Sequence, residues 1–177
     1  MRSLKQLVAG LSIISGCYLA HAHVMAAETV TTEMNQASHI VGTWRLLSYE
    51  IEIQSSGQKE AVFGAQPTGY AHFSPAGRVM FVLTADGRKA AQTVEQKAQL
   101  LASLVAYSGR YRIEADKWIT QVDVAWNPEW VGTEQSRQFV IEGNRLQVLT
   151  PWRQMPNWAA KGQTRSIVRF ERVIEGG

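Results

Sequence analysis

Gly42-Thr43-Trp44-Arg45-Leu46-Leu47-Ser48-Tyr49-Glu50-Ile51-Glu52-Ile53-Gln54 decides how the rest of this chain is read. From Leu47 onward, apolar Leu47, Tyr49, Ile51 and Ile53 alternate with polar Ser48, Glu50, Glu52 and Gln54. Such alternation marks a strand with one buried and one wet face. Trp44 and Leu46 fall on the opposite parity, which predicts a bulge or bend near Leu46. A strand bent there curves as a barrel wall must.

Outward from this stretch the pattern repeats. Gly57 and the run from Gly64 to Thr68 are turn signals, and a strand is expected over 69–74. Ser74-Pro75-Ala76-Gly77 reads as a tight hairpin turn into a strand over 78–84, which Asp86-Gly87 ends. Further strands are expected over 107–114, 118–126, 136–141, 145–150 and 165–173. Between 118 and 126, Trp118, Thr120, Val122, Val124 and Trp126 share one face. Lys89 to Ala106 departs from this pattern. There Ala91, Val94, Ala98, Leu101 and Val105 recur at helical spacing, opposite Gln92, Glu95, Gln96 and Gln99. The expectation is an all-β chain: an eight-stranded antiparallel up-and-down barrel with one α-helix inserted between the third and fourth strands. The helix either covers a barrel end or packs outside the wall, and a β-sandwich is the alternative architecture.

Composition narrows the function. The chain has 177 residues, 45% apolar and 19% charged, enough for one domain with a core. Its single cysteine, Cys17, cannot build an internal disulfide framework or a cysteine-rich zinc site. The pI near 9.2 invites a nucleic-acid partner. Two of the 18 basic residues are Arg2 and Lys5, however, and all 15 acidic residues lie further along. Beyond the N-terminal segment the charge is close to balanced, with no Lys/Arg cluster, so nucleic acid is not an expected partner.

The first 26 residues carry the marks of an export signal. Arg2 and Lys5 form a basic start, Leu7 to Leu19 is apolar and uncharged, and Ala20-His21-Ala22 or Val24-Met25-Ala26 supplies a cleavage site. Ile14-Ser15-Gly16-Cys17 resembles a bacterial lipobox, in which the signal would end before a lipidated Cys17. The expected location is therefore periplasmic or secreted, with a lipid anchor in the cell envelope as the alternative. Residues 27–38 read as a flexible lead-in, and 39–177 as the barrel domain, with no transmembrane helix in the mature chain.

Gly42-Thr43-Trp44 resembles the Gly-x-Trp signature that opens the lipocalin barrel. The resemblance implies structural roles for Gly42 and Trp44, and an arginine from the last strand packed over the indole. Arg172 is the natural match and Arg169 the second. A closer likeness is to a bacterial and fungal lipocalin-like domain family of the calycin type. It rests on Val41 to Glu50, Pro67-Thr68-Gly69-Tyr70, Phe73 to Arg78, Ala106 to Tyr111 and Asn127 to Gln135, in that order. Ile119-Thr120-Gln121-Val122 lacks a histidine often present in that family, which puts histidine chemistry there in doubt. The resemblance implies a fold and no particular reaction.

No Gly-x-Ser-x-Gly elbow, His-Glu-x-x-His helix or phosphate-cradling glycine loop is present. No metal site or cofactor is expected. Tyr70 and His72, two apart on an expected strand, would share a face and line the barrel, as a ligand-binding or acid–base pair or simply as a hydrogen-bonded interior pair. The segment Trp126 to Gln135, with Trp126, Trp130, Glu129 and Glu134, is the expected rim of a ligand entrance or a cap on the core. Arg110 and Arg137 lie on expected strands and, if inward, need an anionic partner. The expected ligand-binding set is thus Tyr70, His72, Tyr107, Arg110, Trp126, Trp130, Glu134 and Arg137. The catalytic candidates are His72, Tyr70, Tyr107 and Glu134. These point first to a barrel holding a small hydrophobic or amphipathic molecule. A cyclase- or isomerase-type enzyme and an envelope-tethered structural lipoprotein are the rivals. Neither the ligand nor the oligomeric state is written in these residues.

Overall fold

Two strands far apart in sequence close the sheet. In the computed structural model, which describes residues 39–174, β1 (Gly42–Ile53) pairs with β3 (Thr68–Phe73) on one side and with β10 (Gln163–Arg172) on the other. Between them run β4 (Arg78–Thr84), β5 (Leu104–Glu114), β6 (Lys117–Ala125), β7 (Glu134–Glu142) and β8 (Arg145–Leu149), each antiparallel to its neighbours. This is a closed eight-stranded antiparallel barrel, as the sequence predicts. Two two-residue strands, β2 (Lys59–Glu60) and β9 (Arg153–Gln154), extend β1 and β10.

The expected bend in β1 is a register shift against β10 between Leu46 and Ser48. It switches the buried face from Trp44 and Leu46 to Tyr49 and Ile51. A second shift was not legible. Ser108 faces Val124 but Gly109 faces Val122, so Asp123 is bulged out. Consequently Trp118, Thr120 and Val122 are buried, while Val124 turns outward and is 63% exposed. Gly109 permits this bulge: a Cβ there would stand 2.1 Å from the carbonyl oxygen of Gln121.

The helix is shorter than its periodicity suggests. The α-helix α1 covers Val94–Ala102, and Val105 already belongs to β5 and to the core. Thr93 caps it, accepting from the Gln96 amide, while the Gln96 side chain accepts from the Thr93 amide. No residue of α1 is buried.

Strand directions sort the connections into two ends. The β3–β4, β5–β6 and β7–β8 links are tight turns, and all lie at the end where β1 begins and β10 finishes. There Trp44, fully buried, plugs the barrel and donates its indole N–H to the Ile40 carbonyl at 2.8 Å. The links β2–β3, β4–β5, β6–β7 and β8–β10 are long and gather at the opposite end, here called the mouth. They bring α1, the short 3-10 helix η1 (Pro128–Trp130) and the 3-10 segment η2 (Pro156–Lys161) together with buried Phe63, Met155 and Trp158.

Candidate functional site

Inside the barrel the packing is not continuous. A cavity of about 30 Å³, counted as space open to the centre of a water molecule, is walled by Phe81, Leu83, Val105, Val148, Val168 and Phe170. Tyr49, Tyr107, Trp118, Trp130, Thr150, Arg137 and Arg153 complete its lining. Space of that size holds about two waters.

Alternation along β7 places Gln135 and Arg137 on the inner face, and both are buried. Arg153 arrives from the mouth on β9, where the chain runs back along the start of β10. The two guanidiniums share one acceptor, the side-chain oxygen of Gln135, which Arg137 reaches at 3.3 Å and Arg153 more closely. Both also approach the Trp130 ring, with Cζ at 5.9 Å for Arg137 and 4.7 Å for Arg153. Trp130 is positioned by η1, which Asn127 caps through the Glu129 amide, and its ring meets those of Tyr107 and Trp126 edge-on.

No carboxylate of the described residues balances these cations. Among the described residues no Asp or Glu is buried, and neither arginine takes part in any of the ion pairs there. Arg137 instead donates to its neighbour's carbonyl, Ser136 O, at 2.7 Å. The Nε of Arg153 and the indole N–H of Trp118 are buried without an acceptor, and both residues line the cavity. Burial, then the like charge of Arg137, pushes the Arg153 pKa down to about 10, so it still carries its charge at neutral pH. Burial raises the phenols of Tyr49 and Tyr107 above their ordinary range, partly offset for Tyr49 by its hydrogen bond with Ser166 (3.0 Å) and for both by the two arginines. The site is thus two cations, two neutral phenols and an apolar wall.

Of the residues expected from sequence to bind ligand, Tyr107, Trp130 and Arg137 meet here, with Trp126 half-buried behind Trp130. Four do not. Tyr70 and His72 lie on the outer face of β3, because Ala71 and Phe73 take the inner positions; Tyr70 is 53% exposed. His72 Nδ1 lies 3.0 Å from the Thr43 hydroxyl. Arg110 is on the outer face of β5. Glu134 is exposed and accepts from Arg112 at 2.7 Å, which holds its carboxyl below the usual range. Tyr49, Gln135, Thr150 and Arg153 were missed. Gln135-Ser136-Arg137 carried a usable signal for Gln135, since residues two apart on a strand share a face. Arg153 carried none, because it lies in an irregular connection. At the plugged end, Arg172 stands over Trp44, with Cζ at 4.1 Å from the ring centre. Residues 1–38, including Cys17, lie outside the described residues.

A family model described as a lipocalin-like domain matches residues 41–173, nearly the whole described chain. No curated protein matches the sequence. Among solved structures the chain is similar to a redesigned β-barrel, with 11% identity, a TM-score of 0.40 and coverage of 78% of this chain and 95% of that one. By the family match, carried over the full barrel, this chain belongs to the lipocalin-like domain family.

Proposed function

We propose that this chain is an exported barrel that takes one small amphipathic molecule through its mouth. The observation that carries the reading is the interior site itself: a mostly apolar wall that ends, near the loop-rich end, in a few convergent polar groups. The present cavity accepts only a few heavy atoms, so a larger ligand requires mouth elements to move. Those elements suit such movement: α1 buries nothing, and apart from Trp130 the segment from Pro128 to Glu134 is exposed.

An acid–base enzyme is less well supported, because His72 and Glu134 stand outside the barrel and the interior phenols are held protonated. Export rests on the basic, apolar and small-residue succession of residues 1–26. Native mass spectrometry of protein purified from its own host tests both parts. The expected result is a co-purifying small molecule on a chain that starts after Ala22 or Ala26. A protein that purifies empty and quenches no apolar dye sinks the binding reading; a chain starting at diacylated Cys17 replaces the soluble form with an anchored one.

A further inference from the structure

We infer that the interior site is an oxyanion receptor, and that the ligand is a small organic anion whose carboxylate or phosphate sits between Arg137 and Arg153 with its apolar part against Phe81, Leu83 and Val105. This deepens, and rests on, the barrel-ligand reading above. Two like charges drawn into one low-dielectric interior repel, and each loses hydration. A fold that only needed to fill this space would gain by placing apolar side chains there. Here both guanidiniums are kept, they share the single neutral acceptor of Gln135, and Arg153 retains an unpartnered Nε at the cavity. Burial, then the like charge of Arg137, weakens the hold of Arg153 on its proton, and among the described residues no acid faces it. An oxyanion supplies what the site lacks: negative charge, several lone pairs, and a geometry that a guanidinium fork meets with two hydrogen bonds. The Tyr107 hydroxyl, beside Arg137, lines the same space and can donate to it; the Thr150 hydroxyl already donates to the Pro151 carbonyl. Trp130, against both arginines, shields the ion from water on the mouth side.

Titration calorimetry with octanoate, octyl phosphate, octan-1-ol and acetate tests this on the unmodified protein, with Trp fluorescence as a second readout. Octanoate or octyl phosphate binding ~10-fold or more tighter than octan-1-ol is the expected result, and the stronger of the two anions identifies the head group. Octan-1-ol binding as tightly as either overturns the oxyanion receptor and leaves the barrel-ligand reading standing. Acetate matching octanoate keeps the receptor and removes the apolar part of the ligand. Failure of all four overturns both. Arg153→Met then separates recognition from structure. It is expected to lose ~10-fold or more in octanoate affinity with octan-1-ol unchanged and no fall in thermal midpoint, since it removes a half-buried charge that pairs with no carboxylate of the described residues. Unchanged octanoate affinity in that variant overturns the assignment of Arg153. The unmodified-protein series stands even if the variant fails to fold.

Discussion

The Arg172 guanidinium lies over the Trp44 ring across the seam where β1 and β10 close the barrel, and the two residues are direct partners in that pairing. Arg172 also donates to the Val41 carbonyl at 2.8 Å and to the His39 carbonyl. One side chain thus covers the plug and fastens the segment leading into β1.

Arg172→Ala is expected to destabilise the fold by about 2 kcal/mol, from the lost cation–π contact and backbone hydrogen bonds. Trp44→Ala removes a fully buried indole and is expected to cost about 3–5 kcal/mol. Urea denaturation of both variants checks the ranking, and equal effects would contradict it.

Gly109→Ala is expected to destabilise strongly, by about 3 kcal/mol or more, because the new Cβ meets the backbone of Gln121 and no side chain can yield. The diagnostic readout is amide exchange: the β5–β6 ladder around the bulge should open before the rest of the barrel.

Alkaline stability follows from the interior phenols. Tyr49 and Tyr107 have folded pKa values above their unfolded value, so they bind more protons when folded. Their contribution is complete below about pH 10, where unfolded tyrosine begins to ionise, and is lost as pH rises through the folded values. Arg153 acts in the opposite direction between about 10 and its ordinary value, because its folded pKa is lowered. The phenol contribution alone is isolated by Tyr49→Phe and Tyr107→Phe, each expected to lose less stability above about pH 10 than the unmodified protein. Spectrophotometric titration should show these two tyrosines ionising only with unfolding.

Thr93→Ala removes the cap of a helix that buries nothing. The local cost is about 1 kcal/mol. It should appear as faster amide exchange within α1, with little change in the global unfolding midpoint. A matching global loss would show that α1 is tied to the core.

His72→Ala and Glu134→Gln are expected to leave ligand affinity unchanged, since neither side chain reaches the cavity. A tenfold loss in either, measured with the same octanoate series, would relocate the site.

The sequence carried the barrel because its signals are local. Alternation, the Ser74–Gly77 turn and the parity break at Leu46 each read correctly from a few neighbours. It failed where a distant partner decides. The bulge at Asp123 exists only in the pairing of β6 with β5, so Val124 looked interior. Gly69 to Phe73 offers two plausible faces: Tyr70 with His72, or Ala71 with Phe73. Tyr and His suit an outer face as well as an inner one, and only packing against Trp118, Phe81 and Tyr111 selects Phe73. Half the interior cation pair was legible, since Arg137 alternates inward with Gln135. Arg153 is delivered by a connection whose course follows from tertiary packing alone.

Sorting the tight turns from the long connections has a practical reach. The described chain enters beside Ile40 and leaves beside Val173, whose amide donates to the Thr43 carbonyl at 2.8 Å. Both exits therefore lie at the Trp44 end. A fusion partner joined directly before Ile40 or after Val173 meets the base of the barrel. The mouth lies at the opposite end of the barrel from both exits, and the loops around it can be redesigned without touching either one.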